Sequence, residues 1–230
     1  LAISASNPQV LNALIETDEG DTQGTYRSEN GGLMWERVSS MNGRPMYYSE
    51  IFIDPNDENR VYELATSSNV SNDGGRTFTQ IGLAPTYDVG LHADHHALWI
   101  DPNDSEHLYL GGDAGFNETY DGGISFRKVN NFAIAQFYAI GVDMQDPYWI
   151  YGGLQDNHSF MGPSETRRWA GILNDDWMQN GFGDGMYWQA DPTDSRFSYG
   201  GSNGGNYFRY DTKTGDILDI APNAPLGESY

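Results

Sequence analysis

The chain has 230 residues, with 33 acidic and 12 basic side chains and a formal net charge of −21 at pH 7. This charge excludes nucleic acid and anionic membranes as partners, because binding to phosphate groups requires clustered Lys and Arg. Cysteine is absent, so disulfides play no part. No apolar run approaches the ~20 residues that span a bilayer, which excludes membrane insertion.

An eight-residue motif, Ser/Thr-x-Asp-x-Gly-x-Thr/Ser-aromatic, recurs along the chain and predicts hairpins at regular intervals. Its third-position residues Asn30, Asp73 and Asp121 are separated by 43 and 48 positions. The first copy departs from the motif, with Asn30 and Met34 in place of Asp and Thr. A period in this range is typical of stacked or radially arranged supersecondary units. The three copies cover residues 28–35, 71–78 and 119–126.

A second motif, an apolar residue followed by Asp and a turn, recurs out of phase with the first. Its copies are centred on Asp54, Asp101, Asp143 and Asp191, at separations of 47, 42 and 48. Each copy lies between two short runs rich in β-branched and aromatic residues, which predicts strands joined by tight turns. The runs are Tyr47–Ile53 and Val61–Ala65, Ala97–Ile100 and Leu108–Leu110, Phe137–Val142 and Tyr148–Tyr151, and Met186–Gln189 and Phe197–Tyr199.

One repeat is therefore a first strand, an Asp turn, a second strand, a loop, a third strand, the Asp-Gly-Gly hairpin and a fourth strand. Four strands in about 45 residues form the blade of a β-propeller, and no segment has the periodicity of a substantial helix. The first blade keeps only a remnant of its first strand, in Leu1–Ser4. We expect an all-β, incomplete propeller that is an internal piece of a larger protein. The predicted blades are 1–42, 43–85, 86–132, 133–180 and 181–230.

Several longer segments resemble the BNR/Asp-box repeat proteins, the bacterial secreted group often described as "glycosyl hydrolase, BNR repeat" or sortilin-like. The resemblance covers nearly the whole chain and implies a secreted, periplasmic or cell-surface bacterial protein with further blades. The segments that carry it are Arg44–Ser49, Asp94–Pro102, Gln136–Tyr138, Tyr151–Asn157, and Gly183–Gly185 before Asp191–Asp194.

Residues that break the repeat are the candidates for function. In a propeller, the loop entering each first strand and the loop leaving the second strand open at one end of the central channel, where ligands usually bind. The Asp-Gly-Gly hairpins and Asp turns recur in several blades, so we assign them structural roles. The loops at the candidate end contribute Asp94, His95, His96, Asp113, Gln136, Gln155, Asp156, Asn157 and Asp184.

The segment from His92 to His96 is the densest cluster of titratable side chains. Imidazole and carboxylate suit transition metals, but adjacent residues of a strand point to opposite faces, so His95 and His96 cannot both reach one ion. Metal ligation, ligand contact and a purely structural role all remain open for these histidines. We predict ligand contact without a metal or cofactor, although a structural divalent cation such as calcium is compatible with the acidic loops.

Asp113 is a candidate catalytic acid or base. The xyloglucan-cleaving propeller hydrolases, which share this repeat type, place a catalytic Asp at the exit of a second strand, followed by small residues, as Asp113 is. This chain lacks the rest of their local pattern, so a turn cap is the alternative role. Glycoside hydrolysis normally requires two carboxylates, and Asp184 and Asp94 are the predicted partners, with Asp156 as a further candidate.

Aromatic and amide side chains complete the candidate site. Gln136, Gln155, Asp156 and Asn157 suit sugar hydroxyls, which require paired donors and acceptors. Trp177 lies beside carboxylates and is a candidate stacking platform for a sugar ring. The other tryptophans singled out, Trp99, Trp149 and Trp188, are expected to pack between blades.

Two functions are compatible with these residues. The first is a binding module that holds a polysaccharide or a peptide or protein ligand at the channel mouth. The alternative is a glycoside hydrolase that cleaves a polysaccharide with a carboxylate pair. A sialidase is disfavoured because it needs an arginine cluster, and Arg44 alone among the ten arginines falls at the candidate end.

Overall fold

The computed structural model describes residues 1–82, 91–129, 131–132 and 134–222. They form five four-stranded antiparallel sheets, each with its strands in chain order, and two single-turn 3₁₀ helices, Asn174–Asp176 and Asn203–Gly205. The predicted all-β class with four-stranded propeller blades is confirmed. Within the described residues, no helix has the length and apolar character that crossing a membrane requires.

The sheets are numbered 1 to 5 along the chain, and the strand bounds follow. Sheet 1 contains β1 Ala2–Ile3, β2 Leu11–Ile15, β3 Gly24–Ser28 and β4 Glu36–Ser39. Sheet 2 contains β5 Glu50–Ile53, β6 Val61–Leu64, β7 Ser68–Ser71 and β8 Thr79–Gln80. Sheet 3 contains β9 His95–Asp101, β10 Asp104–Gly112, β11 Gly115–Thr119 and β12 Arg127–Val129. Sheet 4 contains β13 Phe137–Val142, β14 Trp149–Leu154, β15 Ser159–Pro163 and β16 Met178–Gly181. Sheet 5 contains β17 Gly185–Ala190, β18 Phe197–Ser202, β19 Asn206–Asp211 and β20 Ile217–Asp219.

The chain divides into two compact units, Leu1–Phe132 with sheets 1 to 3 and Ala133–Tyr230 with sheets 4 and 5. In the first unit, an apolar cluster centred on Tyr62 and Leu108 packs sheet 2 against sheet 3. In the second unit, Trp188 and Tyr151 are the largest of the fully buried side chains between sheets 4 and 5. Each unit therefore buries its core between successive sheets.

The recurrent Asp turns are closed by the Asp side chain itself. In each of the four turns, one carboxylate oxygen accepts a hydrogen bond from the backbone N–H two residues later, at 2.8 to 3.1 Å. This geometry, in which a short polar side chain bonds its own backbone, sets the direction of the following strand. The acceptors are Asp54, Asp101, Asp143 and Asp191.

The Asp-Gly-Gly hairpins are organised by the third residue of the motif. Asp73 accepts hydrogen bonds from the N–H and Oγ1–H of Thr77, at 2.8 and 2.6 Å, and these bonds lower its pKa to about 2. Asp121 has the same bonds to Ser125 and the same pKa of about 2. The glycine after each motif residue lies at positive φ, for example 78° at Gly74, which a residue with a Cβ adopts only at a cost.

The tryptophans expected to pack between blades differ in their surroundings. Trp188 is fully buried between sheets 4 and 5, and Trp149 is half-buried against the same cluster. Trp99 is 47% exposed and stacks on Tyr109 of its own sheet, with ring centroids 5.3 Å apart. Its environment in the structure is thus an intra-sheet aromatic stack rather than a junction between sheets.

Candidate functional site

Two strand ends of sheet 3 bring Asp94 and Asp113 together. The backbone N–H of Asp113, at the exit of β10, donates to the carbonyl of Asp94, at the entrance of β9, at 3.1 Å. Asp94 also donates its N–H to Thr66 in the loop that leaves β6 of sheet 2. Asp94 has φ +68°, a conformation that non-glycine residues adopt infrequently and Asp more readily than most. Backbone hydrogen bonds therefore link the residue before β9 to the loop after β10 in sheet 3 and to the loop after β6 in sheet 2.

Arg44 and Tyr48 approach Asp94 from the loop that enters sheet 2. Nη1 of Arg44 donates to Oδ1 of Asp94 at 3.1 Å, and the hydroxyl of Tyr48 donates to the same oxygen. The hydrogen bond to Tyr48 and the charge of Asp94 raise the pKa of Arg44, so its guanidinium stays charged. Burial and the contact with Asp94 raise the pKa of Tyr48, so this side chain is a neutral donor.

His96 and Asp113 form a second pair beside the first. Nε2 of His96 lies 2.9 Å from Oδ1 of Asp113, and the two side chains are 39% and 27% exposed. The Tyr48 ring connects the two pairs, because its centroid is 4.6 Å from that of His96 and 5.0 Å from the guanidinium carbon of Arg44. We call these five side chains the Arg44 cluster: Arg44, Tyr48, Asp94, His96 and Asp113.

His95 precedes His96 in β9, and successive side chains of a strand point to opposite faces of the sheet. His95 therefore lies away from the Arg44 cluster. It is 3% exposed, its Nδ1 shares a 2.8 Å hydrogen bond with Oγ of Ser68, and its Nε2 has no partner among the described residues. Burial lowers its pKa, so the ring is neutral. The two histidines thus face different environments, as the sequence predicts, and His96 is the one that reaches the surface.

Glu63 fixes the loop that carries Arg44 and Tyr48. Its side chain is fully buried in β6, and Oε1 accepts hydrogen bonds from the N–H of Gly43 at 2.7 Å and from Oγ of Ser49 at 3.0 Å. Asn69 donates to its other oxygen at 2.8 Å. One buried carboxylate therefore holds both ends of the 43–49 loop against sheet 2.

The candidate residues of the second unit form a hydrogen-bonded network at the loops of sheets 4 and 5. Nε2 of Gln136 donates to Oε1 of Gln155 at 2.8 Å, and Asn157 donates to the carbonyl of Gln155 at 2.9 Å. The N–H of Asp156 donates to Oδ1 of Asp184 at 2.9 Å. Asp184 therefore caps the loop that contains Asp156, and the structure brings all five residues into one hydrogen-bonded loop pair.

Trp177 lies on the face of its own sheet. The indole covers Gly162, where an added Cβ would come within 2.8 Å of the ring, and it lies 6.4 Å from the Phe137 ring. It is half-buried by these contacts. No group of three or more His, Cys, Asp or Glu side chains among the described residues has the geometry to hold a metal ion.

Tyr48 and Glu63 are residues of the site that the sequence does not single out, and Arg44 stands out in the sequence only by its position. Arg44 is 50 positions from its partner Asp94, so no local spacing connects them. The available signal was that residues 43–49 directly precede the first strand of sheet 2, as residues 92–94 precede that of sheet 3, which places both loops at the same end of neighbouring sheets.

No protein-family model matches the chain, and no curated protein matches it. Among solved structures it is similar to YCF48 bound to the D1 peptide, at 14% identity over 85% of this chain and 62% of that chain, with a TM-score of 0.38. A GH74 enzyme from Niastella koreensis matches at 15% identity over 95% of this chain and 37% of that chain, with a TM-score of 0.44. YCF48 from Cyanidioschyzon merolae matches at 12% identity over 97% and 85%, with a TM-score of 0.39.

The chain spans 62% of the first of these structures and 37% of the second. At identities of 12 to 15% these similarities assign neither a family nor an activity. One fold supports many activities, so the function has to follow from the site itself.

Proposed function

We propose that the chain is part of an extracytoplasmic propeller that binds a glycan or protein ligand at the Arg44 cluster. The observation that carries this proposal is the assembly of five polar side chains from three separate segments into one connected, partly exposed group. Each of the two carboxylates is held by a basic side chain, at 3.1 Å for Asp94 and 2.9 Å for Asp113. Such preorganised polar groups can exchange hydrogen bonds with a ligand without a large loss of side-chain entropy.

The surroundings of the cluster suit an organic ligand. Tyr47 and Met46, in the same loop as Arg44, are exposed and provide apolar contact surface beside the charged groups. Arg44 lies against the rings of both Tyr47 and Tyr48, which fixes the plane of its guanidinium. The secreted or cell-surface location and the bacterial BNR-repeat resemblance belong to the same proposal, as does the presence of further blades in the intact protein.

Binding to immobilised glycan and peptide arrays tests this proposal. We expect at least one array member to bind the chain, and the Arg44→Ala or His96→Ala variant to bind it about 10- to 100-fold more weakly, which corresponds to loss of one charged hydrogen bond. Arg76→Ala is the matched control, because Arg76 is similarly exposed and lies in the hairpin of sheet 2. Binding that is insensitive to both cluster variants would refute the site.

Glycoside hydrolysis is the second candidate, and one observation favours it. Asp94 and Asp113 emerge from backbones that hydrogen-bond to each other at 3.1 Å, so two carboxylates start from neighbouring strand ends. In this reading, the pair acts as general acid and base on a bound polysaccharide. Asp113→Asn should abolish reducing-sugar release while leaving the far-UV circular dichroism unchanged. Activity that survives this substitution would exclude Asp113 as a catalytic residue.

A further inference from the structure

The loop between β15 and β16 of sheet 4 departs from the repeat. In sheets 1 to 3, seven residues connect the third strand to the fourth, and these contain Asp-Gly-Gly in sheets 2 and 3 and Asn-Gly-Gly in sheet 1. In sheet 4 the connection has 14 residues, 164–177, and lacks the motif. We call this segment the Trp169 loop. The hairpin that is structural in sheets 1 to 3 is therefore replaced here by a longer segment with a different sequence.

The Trp169 loop is held in shape by its own hydrogen bonds. Asp176 pairs with Arg168 and accepts the N–H of Leu173 at 2.7 Å. Gly171, at φ +73°, donates to the carbonyl of Arg168 at 3.0 Å, and its own carbonyl accepts the hydroxyl of Thr166 at 2.9 Å. The loop is thus a preorganised turn and does not need to become ordered when a partner binds.

The tip of this loop presents an indole to solvent. Trp169 has a relative exposure of 102%, and Ile172 and Leu173 beside it are also exposed. Single apolar residues are ordinary on protein surfaces, but a fully exposed Trp close in sequence to two exposed aliphatic residues is typical of an interaction site. The ordered backbone holds this apolar group outward, although no local contact among the described residues stabilises the ring.

The charge of the tip is opposite to that of the chain. Residues 167–172 contain two arginines and no acidic residue, whereas the chain carries a net charge of −21. Arg168 is paired with Asp176 at the base of the loop, and Arg167 is exposed. Trp and Arg are the residue types most enriched among those that dominate the energy of protein–protein interfaces.

We propose that the Trp169 loop is a docking element for another protein, which presents an apolar pocket with an acidic rim. The pocket would receive the indole of Trp169, and the rim would pair with Arg167, since Arg168 is already paired with Asp176. A membrane surface is disfavoured because its extended array of anionic headgroups would also face the acidic remainder of the chain, whereas the rim of a pocket meets only the tip of the loop. A glycan is disfavoured because sugars bind across extended aromatic platforms, and Trp169 projects from a tip without a second ring beside it among the described residues.

Selection from a random peptide display library tests the docking element. The full chain is the bait, and selected peptides are counted as positive when the Trp169→Ala variant binds them at least about 30-fold more weakly, as expected for a dominant interface residue. Trp35→Ala is the matched control, since Trp35 lies in the corresponding hairpin of sheet 1 and its Nε1 is bonded to Gly32. We expect the positive peptides to combine Asp or Glu with large apolar residues. The Arg167→Glu variant should bind these peptides more weakly than the unmodified chain does.

The other outcomes would overturn the proposal. These are a library with no Trp169-dependent peptide, positive peptides without acidic residues, or Trp169-dependent binding to neutral glycans or to phosphatidylglycerol vesicles. Trp169-dependent self-association in sedimentation velocity would also overturn it, because the partner would then be a second copy. Thermal unfolding of each variant establishes that the substitution leaves the fold intact, which is expected for an exposed side chain.

Discussion

Removing the buried carboxylate of Glu63 should release the loop that carries Arg44. In Glu63→Ala, the N–H of Gly43 and the amide of Asn69 lose their acceptor, while Ser49 can rotate its hydroxyl elsewhere. A hydrogen bond to a charged acceptor contributes about 1.5–3 kcal/mol, so the loss of two costs about 3–6 kcal/mol before any compensation. Relief of the desolvation of the carboxylate and entry of water offset part of this, which leaves about 2–3 kcal/mol.

Hydrogen exchange of the Gly43 amide measures this effect locally. An opening free energy lowered by about 2 kcal/mol corresponds to exchange about 30-fold faster at the loop, with little change in sheet 3. Glu63→Gln keeps one acceptor oxygen, so the opening free energy of the loop should fall by only about 1 kcal/mol. Glu36→Ala, at an exposed position of sheet 1, is the control and should change nothing. If the Gly43 amide of Glu63→Ala exchanges within threefold of the wild-type rate, Glu63 does not hold the 43–49 loop against sheet 2.

The other predictions concern the sheets and the hairpins. Gly200→Ala should destabilise the second unit by about 1–3 kcal/mol in urea unfolding, because its Cβ would lie 2.1 Å from the Trp188 ring, whereas Gly20→Ala has free space and should be neutral. The melting temperature should fall as the pH is lowered from about 4 to 2, since Asp73 and Asp121 have folded-state pKa values of about 2, below the ordinary value of 3.8. Their contribution is present above pH 4 and is lost on protonation, so Asp121→Asn should make the melting temperature depend less on pH in this range.

The fold was largely predictable because its determinants are local and repeated. Asp54 and Asp73 each bond backbone groups within four residues, so the same short motif produces the same turn or hairpin wherever it occurs. The remnant first strand at the start of the chain was also predicted, and it pairs with β2 as Ala2–Ile3. Repetition thus reveals the strands and the turns between them.

The candidate site was predictable only in part because it is assembled from distant positions. Asp94, His96 and Asp113 were identified as residues that break the repeat, whereas Arg44 and Tyr48 reach them from a loop about 50 positions away. Their association depends on the packing of sheet 2 against sheet 3, which no spacing along the chain encodes.

Trp177 and Trp169 illustrate a second limit. Both lie in a loop with no repeat partner, so the sequence offers no equivalent position from which their burial can be inferred. Trp177 was favoured because carboxylates precede it, yet its indole packs on Gly162, and Trp169 is the fully exposed indole of that loop. Exposure of an aromatic residue in an irregular loop depends on the path of the loop and cannot be derived from composition.

A crystal structure of the chain with its best-binding glycan or peptide from the arrays is the most direct test of the Arg44 cluster as the binding site. We expect the ligand to contact Arg44 and His96 and to cover the Tyr48 ring. Density for the ligand that contacts none of these three side chains would contradict it.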